Sequence, residues 1–322
     1  MNTTKYFGLL LLLIGLVSCS NKENNSVDVS DIVVRTDIER FEQKFYTATH
    51  DKLPGLKLEY PFLFPEPNPD SVWINKMQNK DEQDLYAESQ KQYEDFTEVT
   101  EQLESLFKHI KYYYPKFKEP KVITILTNVD YENNVILADS LMFISLDIFL
   151  GKDSDVYIEF PKYIKQNYTK EHLIVAVAEK FAEGLIPPSE DKSFVSKIIQ
   201  EGKKLALIES FLPDVLPEEI IGYTQEQQIW ASESEMEIWK YFIENDMLYS
   251  QDPQLSARFI EEAPFSKFFL EIDIDSPGRI GVWFGWNIVQ SYLKSNNVSI
   301  QEAIYVQNEN IFKRSKYKPR KK

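Results

Sequence analysis

The residues best placed to do chemistry lie on one stretch, Thr169 to Pro187, reading T-K-E-H-L-I-V-A-V-A-E-K-F-A-E-G-L-I-P. Its middle, Ala178-Glu179-Lys180-Phe181-Ala182, has the spacing of H-E-x-x-H. In that motif two histidines one helical turn apart hold zinc, and the glutamate between them acts as general base. Alanine stands at both histidine positions here. A methyl group has no lone pair to give a metal, so the stretch as written cannot hold zinc. Glu179, Glu183 and Glu201 could form an acid–base set, but carboxylates are plentiful and only the fold can bring three of them together.

Other chemistries have less support. The three histidines, His50, His109 and His172, are far apart in sequence and none belongs to a ligand-spaced pair. No G-x-S-x-G surrounds a serine, and the ten glycines form no nucleotide-binding signature. Glu271 to Gly278 opens like a calcium loop, with glycine sixth from Asp273. Phe284 occupies the twelfth place, where a bidentate glutamate is needed. No metal site and no cofactor are expected.

The element that would position Glu179 is a helix over 169–185, capped by Thr169 and stopped by Pro187-Pro188. Its apolar residues (among them Leu173, Ile174, Val177, Phe181 and Leu185) cover more than half the circumference. Only Glu179, Lys180 and Glu183 share a narrow polar sector, so this helix is central. Strand signals gather just before it, at 122–127, 135–137 and 143–150, with an earlier strand signal at 32–34 and 38–41. Helices are expected near 41–48, 71–77, 82–93, 100–114, 194–211, 225–249, 278–294 and 300–306. Thr224 with Gln227 and Ser299 with Glu302 read as capping boxes. The five prolines between Leu53 and Asp70 mark an irregular, aromatic-pinned segment. The fold class is α+β, mostly helical, with a small mixed sheet before the central helix.

The N-terminus reads as a lipoprotein signal. An apolar run over 9–17 leads into Leu16-Val17-Ser18-Cys19, a lipobox whose cysteine takes the lipid; the run is too short to span a bilayer. Cys19 is the only cysteine in the chain, so neither a disulfide nor a catalytic thiol is expected. The division is a cleaved signal over 1–18, a polar tether over 19–30, one domain over 31–312 and a basic tail over 313–322. The formal charge is −15, with seven lysines and arginines crowded into that tail. So acidic a body will not track nucleic-acid phosphates. The tail reads as solvated and disordered.

Six segments together resemble the GldB gliding-motility lipoproteins of Bacteroidetes: Y-P-F-L-F-P (60–65), D-S-V-W-I-N-K-M (70–77), H-I-K-Y-Y-Y-P-K-F (109–117), A-D-S-L-M-F-I-S-L-D-I-F-L-G-K-D (138–153), I-G-Y-T-Q-E-Q (221–227) and S-P-G-R-I-G-V-W-F-G-W-N-I-V (276–289). The resemblance implies a cell-envelope lipoprotein required for gliding. It would act through contacts with other gliding-machinery lipoproteins and the type IX secretion system, without catalysis. Membrane attachment would run through the Cys19 lipid. The acidic cluster some surface lipoproteins carry after the cysteine is weak here and leaves the membrane face open, with the periplasmic face expected over the cell surface. A second likeness, to zinc peptidases of the zincin type, places Ala178 and Ala182 at the histidine ligands, Glu179 at the base and Glu201 at the third ligand. It implies a zincin-like core that has lost its metal ligands. The alternatives are a metal-dependent hydrolase with another site and a glycan-binding lipoprotein.

Overall fold

A computed structural model describes residues 27–320. The signal segment, Cys19, most of the tether and the last two lysines lie outside them. The first strand, β1, is Ile38–Arg40, and it runs straight into α1, Phe41–Tyr46. The strand signal at 32–34 is not used. The proline-rich stretch holds α2, Leu53–Glu59, because Pro54 sits in the first turn, where its missing N–H costs nothing. Helices α3 (Asp70–Gln78), α4 (Lys80–Gln92) and α5 (Thr97–Tyr113) follow. Along α5, Val99, Leu103, Leu106, Phe107 and Ile110 are buried at helical spacing.

Strands β2 (Lys121–Ile125), β3 (Val135–Ala138) and β4 (Leu141–Ser145) complete a sheet in the order β1-β2-β4-β3. β2 is parallel to both of its neighbours, and β3 is an antiparallel edge. Val122, Ile123 and Thr124 are all buried, as befits a strand covered on both faces. β4 ends five residues earlier than its apolar run suggests. The backbone turns there because the buried Asp147 carboxylate accepts the N–H groups of Thr127 and Val129 at 2.7–3.1 Å. The Asp147 carbonyl in turn accepts the Tyr157 hydroxyl at 2.7 Å.

The short α6 (Lys162–Lys165) leads into the central helix α7, Lys170–Leu185, and then α8, Phe194–Phe211. The expected helix over 225–249 is two helices. After α9 (Pro217–Ile221) come α10 (Gln225–Glu233) and α11 (Glu235–Glu244), parted where Ser234 leaves helical geometry. Helices α12 (Gln254–Phe259), α13 (Ile280–Asn296), α14 (Ile300–Ala303) and α15 (Asn308–Ser315) close the chain. Both expected capping boxes form.

The α8–α13 crossing is the tightest in the fold. A Cβ added at Gly202 would lie 2.2 Å from the Gly285 carbonyl carbon, and one at Gly285 would lie 1.7 Å from the Ile198 carbonyl oxygen. Only glycine lets these backbones meet, and that contact sets where Glu201 and Lys204 stand. The ordered fold also runs past residue 312. Lys313 and Arg314 belong to α15, where Lys313 pairs with Glu309 at 2.5 Å and Arg314 donates to Asn296 at 3.0 Å. Beyond it, the Tyr317 hydroxyl donates to Glu235 at 2.6 Å and its ring packs 5.2 Å from that of Trp239. Through Tyr317, then, the tail packs against the domain, while Lys316, Lys318 and Arg320 are exposed.

Candidate functional site

α7 and α8 lie side by side, and their facing polar groups form one cluster. The α7 residues Glu179 and Glu183 stand one turn apart, as do Glu201 and Lys204 on α8. The Lys204 ammonium lies 2.9 Å from Glu179 Oε1, 3.0 Å from Glu201 Oε2 and 3.9 Å from Glu183 Oε1. The fold therefore brings together all three carboxylates singled out in the sequence, around a lysine that was not. The local spacing of Glu201 and Lys204, three apart on one helix face, gave a hint, but the contact with Glu179 comes only from packing α8 against α7.

The electrostatics follow from that ammonium. Burial pushes the Glu179 carboxyl up, but Lys204 and Arg279 more than reverse this, and it sits below the usual carboxylate range. Lys204 is shifted the opposite way. Burial disfavours its charge, yet Glu179 and Glu201 outweigh burial and hold it above the usual lysine range. Lys204 is 16 % exposed and Glu179 35 %, so the pair is partly open to solvent, which partly screens it. A carboxylate held ionised by a bonded ammonium is a weak proton acceptor.

Ala178 and Ala182 are both fully buried. Their methyl groups are part of the core under α7. Among the described residues, no group of three or more histidine, cysteine, aspartate or glutamate side chains is arranged to hold a metal ion. The histidines stay apart. His50 pairs with Gln78, and His109 bonds the Ser105 carbonyl at 2.8 Å. His172 is hydrogen-bonded to the Glu219 backbone, and burial drives its pKa down to about 4, so the ring is neutral. Asp273 accepts the N–H groups of Phe268, Phe269 and Leu270 at 2.9–3.2 Å, which makes it a loop clasp. Of the tyrosine triplet, Tyr113 and Tyr114 pack against Phe211 and Tyr112 is exposed.

Two of the motif segments meet beside His172. Gly222 has φ of +76°, and a Cβ there would strike the Asn167 amide at 2.3 Å. Its carbonyl accepts Gln166 Nε2 at 2.7 Å, and the same amide nitrogen donates to Gln227 at 3.0 Å. The Tyr223 hydroxyl donates to the Gly278 carbonyl at 2.7 Å, and Arg279 donates to the Ile221 carbonyl at 3.3 Å. The segments 221–227 and 276–289 are thus a clasp that fixes the start of α13 against α9.

A family model described as gliding motility protein GldB matches residues 22–319. The chain belongs to the GldB family. No curated protein and no solved structure matches it. As a member of that family it is a gliding-motility lipoprotein. Among its described residues no helix is long and apolar enough to cross a membrane. Cys19, the lipid-bearing residue expected from the sequence, lies outside the described residues and also before the matched segment.

Proposed function

We propose that this GldB-family lipoprotein supports gliding by protein contacts and performs no catalysis. It is held at the membrane by the Cys19 lipid, faces the periplasm and works beside other gliding lipoproteins and type IX secretion components. The α7–α8 cleft belongs to a zincin-like core whose metal ligands have been replaced by Ala178 and Ala182. One observation carries this reading: Lys204 bonds both Glu179 and Glu201, the two residues at the base and third-ligand positions. A fixed ammonium supplies the positive charge that two neighbouring carboxylates require, and by holding Glu179 ionised it weakens that carboxylate as a base. The lysine therefore makes the cleft stable as a structural element and unsuited to proton transfer.

Glu179→Gln tests the claim in cells. The amide keeps the size and one hydrogen bond of the carboxylate while removing its basicity. Gliding at the wild-type rate, with unchanged protein abundance, is the expected result. Loss of gliding at wild-type abundance and melting temperature would assign Glu179 a chemical role.

A further inference from the structure

Residues 268–276, built around a short 3-10 helix at Glu271–Asp275, form a loop that displays four apolar side chains. Phe268 is buried, with its ring 5.1–5.3 Å from those of Phe259 and Tyr241, and its carbonyl accepts the Tyr241 hydroxyl at 2.7 Å. The next residue turns outward. Phe269 has φ of +63°, a left-handed conformation costly for an aromatic residue, and its side chain is 75 % exposed. Leu270, Ile272 and Ile274 are exposed beside it, Ile274 to 76 %.

This display is rigidly held. The Asp273 carboxylate collects three backbone N–H groups, and the Ser276 hydroxyl donates to the Asp273 carbonyl at 2.7 Å. The Arg258 guanidinium lies between two rings, 4.7 Å from Phe259 and 4.6 Å from Phe269. Arg258 is itself fixed, donating to the Lys267 carbonyl at 2.7 Å and the Tyr241 hydroxyl at 3.1 Å. Apart from Arg258 stacked on the Phe269 ring, the four apolar side chains keep between 43 % and 76 % of their surface exposed. A rigid apolar display with little ordering entropy left to lose is the form of a binding hot spot.

Charge and position narrow what binds it. The apolar residues alternate with Glu271, Asp273 and Asp275, and Glu271 and Asp275 are exposed. Loops that enter bilayers carry lysine and arginine toward anionic headgroups, and this loop carries the opposite sign. It also precedes the start of α13. Val27, the first described residue, lines one open cavity with Leu293, Lys294 and Asn297 at the other end of that helix. The seventeen residues of α13 separate the two ends by about 25 Å at ~1.5 Å per residue. The loop thus lies at the opposite end of α13 from that cavity.

We infer that residues 269–275 dock into an apolar groove with a basic rim on another envelope protein, Phe269 and Ile274 filling the groove and Glu271 and Asp275 meeting the rim. The inference rests on the contact-without-catalysis reading above, and its test keeps the two separable.

Full-length protein carrying a photoreactive benzoylphenylalanine at position 269 is irradiated in gliding cells. The expected product is one adduct of discrete mass with a different protein, lost when Glu271→Lys and Asp275→Lys are added. A lipid adduct, an adduct of twice the chain's own mass, an adduct that survives the charge reversal, or no adduct would each overturn the inference. In parallel, Phe269→Asn with Ile274→Ser should abolish gliding at wild-type abundance and membrane attachment. Asparagine is chosen because it tolerates the left-handed backbone, so loss of movement is not loss of fold. Normal gliding of this variant contradicts the loop's role and leaves the contact reading standing if Glu179→Gln also glides. Loss of gliding in Glu179→Gln overturns the contact reading itself.

Discussion

The α7–α8 cleft and the 268–276 loop treat their functional-looking groups in opposite ways. Between α7 and α8, Glu179 and Glu201 are paired from within by Lys204 and Glu183 by Lys180, while Ala178 and Ala182 are fully buried. In the loop, three backbone N–H groups are gathered by Asp273 so that apolar side chains stay outside. One region spends its hydrogen bonds on closing itself; the other spends them on keeping a surface open. Under the proposed reading, reactive residue types do not mark where this protein meets the rest of the cell. The place to look is where ordering forces hold unfavourable groups in solvent.

The comparison is broken most strongly through pH. His172 has its pKa lowered by burial from 6.5 to about 4, so between those values the unfolded chain binds a proton that the folded chain does not. Stability then rises with pH across that window, and acidification from pH 7 to 4 costs up to about 3 kcal/mol, an upper bound because the ring is only partly buried. Urea unfolding should show this slope, and His172→Gln should flatten it. Glu179 adds a loss of the same sign at lower pH, since a carboxyl held low gives up its stabilisation as pH falls through its folded value.

Lys204→Met gives a smaller effect, because the cluster is partly screened. Glu179 and Glu201 would lose their shared ammonium while Lys180 still pairs with Glu183, at a cost of about 1 kcal/mol and a melting temperature lower by roughly 2–4 °C. A fall in stability with gliding intact would place Lys204 in the architecture alone. The smallest effect belongs to the loop. Phe269→Asn relieves backbone strain and loses the Arg258 stacking, so stability should move by no more than about 0.5 kcal/mol. A region whose mutation leaves stability alone and stops movement is the counterpart of one whose mutation does the reverse.

Much of this was legible in the sequence where the signal was local. α7 and α8 follow from their apolar periodicity, and both capping boxes from spacing three apart. What escaped depends on atoms distant in sequence. The end of β4 is set by Asp147 receiving N–H groups eighteen and twenty residues away. Proline-rich letters concealed α2, since only its geometry shows Pro54 in a harmless first turn. At the site, Glu179, Glu183 and Glu201 were legible as candidates, but the residue that decides their chemistry, Lys204, has meaning only once α8 lies against α7. Phe269 was invisible as a surface feature because its neighbour Phe268 has the same letter and the opposite fate.

The most direct test of the account is the metal content of residues 20–322, purified without a histidine tag, after incubation with excess zinc and buffer exchange. Lys204 between Glu179 and Glu201, with Ala178 and Ala182 beneath, predicts no retained zinc by elemental analysis. Near-stoichiometric zinc would contradict it and make the cleft, not the loop, the working part of the molecule.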